Sequence, residues 1–366
     1  MYRPHRRANA AIDRSIPGAA GRLNAPDGRA RDDRLACIDL GSTAGDSGTM
    51  PTLVEIERAA ALVHDVMLPT PQLSWPLLSA RSGAEVWVKH ENHTPIGAFK
   101  IRGGLAYLSA LREREPGLRG VIAATRGNHG QSVALAAQRL GLAATIVAPH
   151  GNSRDKNAAM RAFGAELIEH GHDFQAAYEY SRELAAERRL HLVPSFDGDL
   201  VAGVASYALE LLRAVADIDT VYVPVGLGSG ICGTMAVRDA LGLRTKVVGV
   251  VAANAPTYAL SFAAGRPVAT NSADTMADGL ACRVPDTAAL AAIRNGAERI
   301  LAVSEDEIGA AMRHLFTDTH NVAEGAGAAA LAGLLQEKER MAGKRVAIIL
   351  SGGNVDRAVF ASVLAD

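Results

Sequence analysis

Four short segments carry residue types that can do chemistry, and the first is GAFKIRGG at residues 97–104. Lys100 stands behind a Gly-Ala-Phe turn and ahead of Arg-Gly-Gly. A lysine amine can form a Schiff base with an aldehyde, and when neutral it can accept a proton. Alone, a lysine beside glycines reads as an ordinary solvated charge.

The second segment is ATRGNHGQ at residues 124–131. It follows the apolar run 121–124 and precedes a helical pattern over 132–140 that Gly141 stops. Another apolar run, 143–148, comes next. Strand, loop, helix and strand make one βαβ unit of a parallel sheet. The loop lies at the carboxyl end of its strand, where α/β sheets bind ligands, and the helix start offers unpaired N–H groups to an anion. Asn128 can hydrogen-bond a ring hydroxyl. The plain alternative is that Thr125 and Asn128 only cap the helix.

The third segment is VGLGSGICG at residues 225–233, entered from a β-branched run and followed by a helical pattern over 234–241. Glycines let the backbone approach a phosphate, and the loop amides supply its hydrogen bonds. Residues 228–233 also match the dinucleotide pattern G-x-G-x-x-G. That pattern wants an acidic residue at the end of the next strand. The strand at 246–252 runs into Ala253, Asn254 and Ala255 with no carboxylate. The loop therefore reads as a monophosphate cradle rather than an NAD site.

The fourth segment is VAIILSGGN at residues 346–354, a buried strand ending in Ser351 and two glycines. A serine hydroxyl offers a neutral hydrogen bond to a pyridine nitrogen, where an aspartate would hold the ring protonated. A lysine amine, a phosphate cradle, a ring-hydroxyl partner and a ring-nitrogen partner together describe a site for pyridoxal 5'-phosphate (PLP). An unprotonated ring is a weaker electron sink, which suits loss of a β-substituent better than transamination.

In order and spacing, the four segments resemble the serine/threonine dehydratase (threonine ammonia-lyase) family of fold-type II PLP enzymes, over about residues 50–366. The resemblance implies an α/β fold of the tryptophan synthase β kind, with two domains, three layers, and parallel or mixed sheets. It implies Lys100 as the Schiff-base lysine, Phe99 as its ring neighbour and Asn128 on the ring hydroxyl. Gly226, Leu227, Gly228, Ser229 and Gly230 become the phosphate loop, and Ser351 the partner of the ring nitrogen. Glu324, in VAEGAG at 322–327, falls where the family keeps a glutamate near the ring; it reads equally as a helix-start carboxylate. There are departures. Leu227 and Ser229 interrupt the glycine run. The second residue of the asparagine loop is Arg126, where serine racemases keep a serine that acts on the second face of the substrate. The positions aligned with divalent-ion carboxylates are Val251, Ala255 and Thr257, so no metal site is expected.

The implied activity is dehydrative deamination of a β-hydroxy amino acid such as L-threonine or L-serine, in an amino-acid catabolic role. The substrate carboxylate is expected on the loop of Thr125, Arg126, Gly127, Asn128 and His129. Lys100 takes the Cα proton, the β-hydroxyl leaves as water, and the released enamine hydrolyses to a 2-oxo acid and ammonia. Arg126 is expected to point outward as a surface charge; an inward Arg126 would instead favour a second carboxylate, as in 3-hydroxyaspartate. An amino-acid racemase, a β-replacement synthase and a non-catalytic PLP carrier share the same cofactor site and stay as alternatives.

The rest of the 366 residues fit a soluble, cytoplasmic enzyme with a small amino-acid substrate. A hydrophobic content of 48% suffices for a large core, and a formal charge of −1 gives no sign of nucleic-acid binding. No apolar run approaches the length of a spanning helix, so no membrane partner is expected. Cys37, Cys232 and Cys282 have neither metal nor disulfide spacing. By the resemblance the enzyme is a homo-oligomer, a dimer, and with nothing after Asp366 it has the short form that lacks a regulatory domain. Residues 50–115 and 198–366 are expected to form a large PLP-binding domain with 116–197 inserted as a small α/β domain, the cofactor lying between them.

Residues 1–49 are rich in Arg, Ala, Gly and Asp with no apolar period, and are expected to be a disordered tail; Met50 is a candidate start. Deleting 1–49 is expected to leave turnover and thermal midpoint nearly unchanged. A large loss of either, in a steady-state assay or a melting curve, would show that the tail packs on the body.

Overall fold

Alternating apolar residues build two sheets, each buried on both faces. The structure is a computed structural model that describes residues 50–365, so the expectations for 1–49 and Cys37 lie outside it. The first sheet contains β1 (Gln72–Ser74), β2 (Glu85–His90), β7 (Thr220–Pro224), β8 (Lys246–Ala252), β9 (Arg299–Val303) and β10 (Arg345–Leu350). Its order is β1-β2-β10-β7-β8-β9; β1 is antiparallel and the other pairings are parallel. The second contains β3 (Gly120–Ala124), β4 (Ala143–Ala148), β5 (Glu166–Glu169) and β6 (His191–Leu192). Its order is β5-β4-β3-β6, all parallel.

The two-residue period of a strand sends successive side chains to opposite faces. Ala347 and Ile349 of β10 join Val221 and Val223 of β7 in one core, packed under the helices Gly198–Ala214 and Ser229–Ala240. Val346, Ile348, Leu350 and Tyr222 enter the opposite core, under the helices Glu305–Thr319 and Gly325–Gln336. The second sheet repeats the arrangement: Val121 and Ala123 face one cluster, Ile122 and Ala124 the other. Runs that read as continuously apolar in sequence are thus strands with helices on both sides.

Two helices begin earlier than periodicity suggests. The helix expected over 234–241 spans Ser229–Ala240, and the one expected over 132–140 spans Asn128–Arg139. Gly230, Gly233 and Gly130 have low helix propensity, which hides these first turns in the sequence. Tertiary packing overrides it, because a Cβ on Gly233 would stand 3.0 Å from the Ala205 backbone, and one on Gly130 2.5 Å from Thr125. The consequence is functional: the asparagine and glycine segments become first turns of helices, with amides facing outward.

Beneath the lysine segment lies a closed set of buried charges. Arg102, with no exposure, donates to Glu91 (2.7 and 2.9 Å), to Glu210 (2.6 and 3.0 Å) and to Ser206 (2.9 Å). Lys89, also fully buried, donates to Glu210 at 2.5 Å and to the Thr70 carbonyl at 2.7 Å. Two buried cations face two carboxylates, and the partly exposed His64 adds a bond to Glu210 at 2.8 Å. Burial opposes the Glu210 charge, but Arg102 and Lys89 outweigh it and hold the carboxyl at about 2. A carboxylate depressed in this way stabilises the fold above its unfolded pKa of roughly 4.3. That contribution drains as pH falls from there toward 2. Arg102 fastens Lys100's helix to the turn Glu91–His93 that follows β2 and to the helix Gly198–Ala214.

Arg102→Met keeps the bulk, leaves Glu210 to Lys89 and His64, and leaves Glu91 without a cationic partner in hydrogen-bond contact among the described residues. Breaking a buried ion set from one side costs about 3–5 kcal/mol, and urea unfolding at neutral pH is expected to show a loss of that size. A change below about 1 kcal/mol, within the range of an exposed pair, would mean that the carboxylates find other compensation.

Candidate active site

Four carboxyl ends of strands meet at one place: β2, β7 and β10 of the first sheet and β3 of the second. Lys100 opens the helix Lys100–Arg114, in the segment that follows β2. Its backbone is pinned from two sides. The Phe99 N–H donates to the Ser351 carbonyl (3.0 Å), and the Lys100 carbonyl accepts from the Ser132 hydroxyl (2.7 Å). Ala98 and Gly352 add an antiparallel bridge. The half-buried Lys100 side chain carries Nζ 5.1 Å from the Phe99 ring centroid and 3.5 Å from Ser229 Oγ. Phe99 meets Tyr207 edge-on, with centroids 6.1 Å apart. Desolvation pushes the Lys100 pKa down from 10.5 to about 8.

The glycine loop follows β7. Val225 N–H bonds to Val250 and Cys232 N–H to Gly228. Among the described residues, none of the six amides between them, Gly226 to Ile231, has an acceptor. Gly228 takes a left-handed φ of +104° and serves as N-cap of the helix Ser229–Ala240. At Gly226 a Cβ would stand 2.2 Å from the Gly279 carbonyl, so only glycine fits. Ser351, buried, directly follows β10. β8 ends at Ala252 with no acidic residue, in keeping with a phosphate cradle.

Asn128 is the first residue of its helix, and neither it nor Thr125 caps it: the N-cap is Gly127, with no side-chain cap bond. Thr125 Oγ1 instead accepts from Gly127 N–H (3.0 Å). Asn128 donates to Glu324 Oε1 (2.6 Å) and accepts from Asn354 Nδ2 (2.8 Å). The amides of Asn128, His129 and Gly130 have no acceptor among the described residues. Burial and the nearby Lys100 charge bring the His129 pKa down to about 3, so its ring is neutral at physiological pH; its Nε2 is buried without a partner. Glu324 stands at the N-cap of the helix Gly325–Gln336 but makes no cap bond. Its carboxylate is buried and turned toward Asn128 and Lys156.

Arg126 is exposed, its side chain 46% so; it also lines a cavity of about 420 Å³ with Lys156, Asp278 and Glu324, and its guanidinium lies 3.8 Å from Asp278. Val251 and Ala255 are buried apolar residues, and the Thr257 hydroxyl is bonded to the Cys282 carbonyl at 2.8 Å. Cys232 and Cys282 are free and buried.

The pattern of the family described as "Pyridoxal-phosphate dependent enzyme" matches residues 63–352. The chain belongs to that family. A Thermotoga maritima L-threonine ammonia-lyase is 36% identical over 308 residues, covering 84% of this chain and 76% of the relative. A Saccharomyces cerevisiae L-threo-3-hydroxyaspartate ammonia-lyase is 35% identical, covering 86% of this chain and 97% of the relative. Among solved structures, maize serine racemase superposes with a TM-score of 0.81 at 28% identity, over 87% of this chain and 98% of that one. The cofactor is therefore pyridoxal phosphate, and the residues present suit it. Six free amides face a phosphate's acceptors, and an amine of lowered pKa stands beside them.

Three residues at the cleft escape sequence reading. Lys156 is buried and lies 3.3 Å from Glu324 and 3.4 Å from Asp278. Burial works against its charge, but the two carboxylates outweigh that and keep its pKa above the usual value. Its stem passes Gly127 so closely that a Cβ there would stand 2.4 Å from Lys156 Cδ. Nothing in its own segment separates it from a surface lysine. Asp278 sits in an unmotified loop. Asn354 stands in the fourth segment itself, where its position just past a strand end was a usable signal.

A neutral amine is the nucleophile in Schiff-base formation. Below pH 8 the Lys100 amine is mostly protonated, and above it mostly free. In apoenzyme mixed rapidly with PLP, the rate of Schiff-base absorbance growth is expected to rise with pH about a midpoint near 8. A midpoint near 10 would mean that the amine is solvated.

Proposed function

We propose that the chain is an ammonia-lyase that converts an L-β-hydroxy amino acid to a 2-oxo acid, ammonia being the other product. Threonine would yield 2-oxobutanoate, and serine pyruvate. What supports the reading is the bond from the Phe99 N–H to the Ser351 carbonyl, which brings the Lys100 segment against the end of β10, where the family resemblance puts the neutral Ser351 hydroxyl opposite the ring nitrogen. A hydroxyl can donate one hydrogen bond without holding the ring protonated, which favours β-elimination over transamination.

Each residue then has a task. The amides of Gly226 to Ile231 hold the cofactor phosphate, and Asn128 takes the ring hydroxyl. Bound there, PLP supplies the electron sink that allows the Cα–H bond of an amino acid to break. The amides of Asn128, His129 and Gly130, at a helix start, hold the substrate carboxylate. The Lys100 amine, in its neutral form, would take the Cα proton. The β-hydroxyl, taking up a proton, would leave as water, so that Cα–H and β-OH are lost together as one water, and hydrolysis of the released enamine would give the 2-oxo acid and ammonia. Phe99 packs beside the amine. A guanidinium keeps its proton near neutral pH, so Arg126 supplies no base for the second face, and racemisation is disfavoured. We also take residues 116–197 as a small domain inserted in the larger one, and the enzyme as a homo-oligomer.

A second reading follows from Arg126. Its place on the cleft wall, with only a 3.8 Å approach to Asp278, leaves donors for a second substrate carboxylate. On that reading 3-hydroxyaspartate is the preferred substrate.

Borohydride reduction of the yellow holoenzyme is expected to abolish its absorption band and to leave the adduct on Lys100 in a tryptic map. Incubation with L-threonine, L-serine and 3-hydroxyaspartate is expected to release oxo acid and ammonia, with little D-enantiomer from L-serine. Racemisation faster than elimination would overturn the lyase assignment. If Arg126→Ala lowers kcat/KM for hydroxyaspartate at least about tenfold, one lost charged contact, and spares threonine, the second reading holds.

A further inference from the structure

The glycine loop is free of partners on its cleft side and held on its buried side. Tyr258, in the helix Thr257–Ala264, is 1% exposed and donates its hydroxyl to the Leu227 carbonyl at 2.9 Å. Among the described residues that carbonyl has no other donor. The same hydroxyl accepts from the Asp286 N–H at 3.1 Å, so it is fixed from two directions. Burial pushes the Tyr258 pKa well above 10, and the proton it donates stays in place.

A peptide unit is planar and trans, so the carbonyl of one residue and the N–H of the next point opposite ways. Holding the Leu227 carbonyl toward Tyr258 therefore turns the Gly228 N–H the opposite way, away from Tyr258. Gly228 can take the +104° φ that follows because it has no side chain; a Cβ there would stand 2.9 Å from that of Ala289. The loop thus enters the helix Ser229–Ala240 with its amides aimed before any ligand arrives.

We propose that Tyr258 is a positioning residue for the phosphate of the cofactor, acting through the Leu227–Gly228 peptide. The proposal rests on the assignment of residues 226–230 as the phosphate loop. Tyr207 is the contrasting case. It donates to the Gly230 carbonyl at 2.8 Å, but that carbonyl also accepts from the Thr234 hydroxyl at 2.9 Å, so its hydrogen bond is duplicated.

The test compares PLP with pyridoxal, which has the same aldehyde and ring but no phosphate. Apoenzyme is titrated with each, following the Schiff-base absorption. Wild type is expected to bind PLP far more tightly. Tyr258→Phe is expected to lose about tenfold in PLP affinity, the loss of one aimed hydrogen bond. Its pyridoxal affinity should stay within about twofold, and Tyr207→Phe should change either ligand less. Equal losses for both ligands, or no loss for either, overturn the proposal. If wild type itself fails to prefer PLP to pyridoxal, the phosphate-loop assignment falls instead. Should Tyr258→Phe not fold, Gly228→Ala turns the same peptide from its other end. It is expected to cost PLP and spare pyridoxal, and equal losses there likewise overturn the proposal.

Discussion

An amine is useful to this chemistry only if it can shed its proton near neutral pH, and water opposes that. Lys100 is half-buried beside Phe99, and among the described residues no carboxylate pairs with its amine to restore the charge. The surrounding architecture serves that condition. Two hydrogen bonds and a strand bridge hold the backbone on either side of the lysine, and Arg102 roots the same helix in a buried ion set. Those carboxylates are spent on Arg102 and Lys89. The amine therefore sees desolvation without compensation, which is what lowers its pKa.

Across the cleft the electrostatics are organised differently. The second sheet and its helices present Arg126, Lys156 and Asn128. The first presents Asp278, Glu324 and Asn354. Cations on one wall meet carboxylates on the other, and of these ion pairs Lys156–Asp278, at 3.4 Å, is also a hydrogen bond.

The legible part of this site is the part written in residue types with one physical meaning. Gly226 and Gly228 are required by close approach and by a left-handed φ, and such glycines stand out after an apolar strand. Ser351 and Asn128 could be placed because each follows a strand that faces two cores. Lys156 was not legible, because a buried lysine differs from a surface one only through partners 122 and 168 residues away, at Asp278 and Glu324. Arg126 was read outward from the usual habit of arginines, and it is exposed, while its place beside Asp278 on a cavity rim needed a partner 152 residues away. The early start of the helix at Ser229 was hidden by glycine's poor helix propensity, and Tyr258 by an unmotified segment in which a tyrosine reads as core.

The place of β10 has a consequence for biosynthesis. Among the described strands it is the last in chain order, yet it is central, paired on one side with β2 and on the other with β7. The four strands of the second sheet run in one stretch from residue 120 to 192 and need nothing translated later. The first sheet stays split until β10 arrives, with the inner edges of β2 and β7 open to wrong partners in the meantime. The same late strand brings Ser351, whose carbonyl ties down Phe99. A nascent chain therefore carries its reactive lysine through most of synthesis without the bond that seats it, and a stalled or truncated chain yields an unseated amine and an exposed sheet.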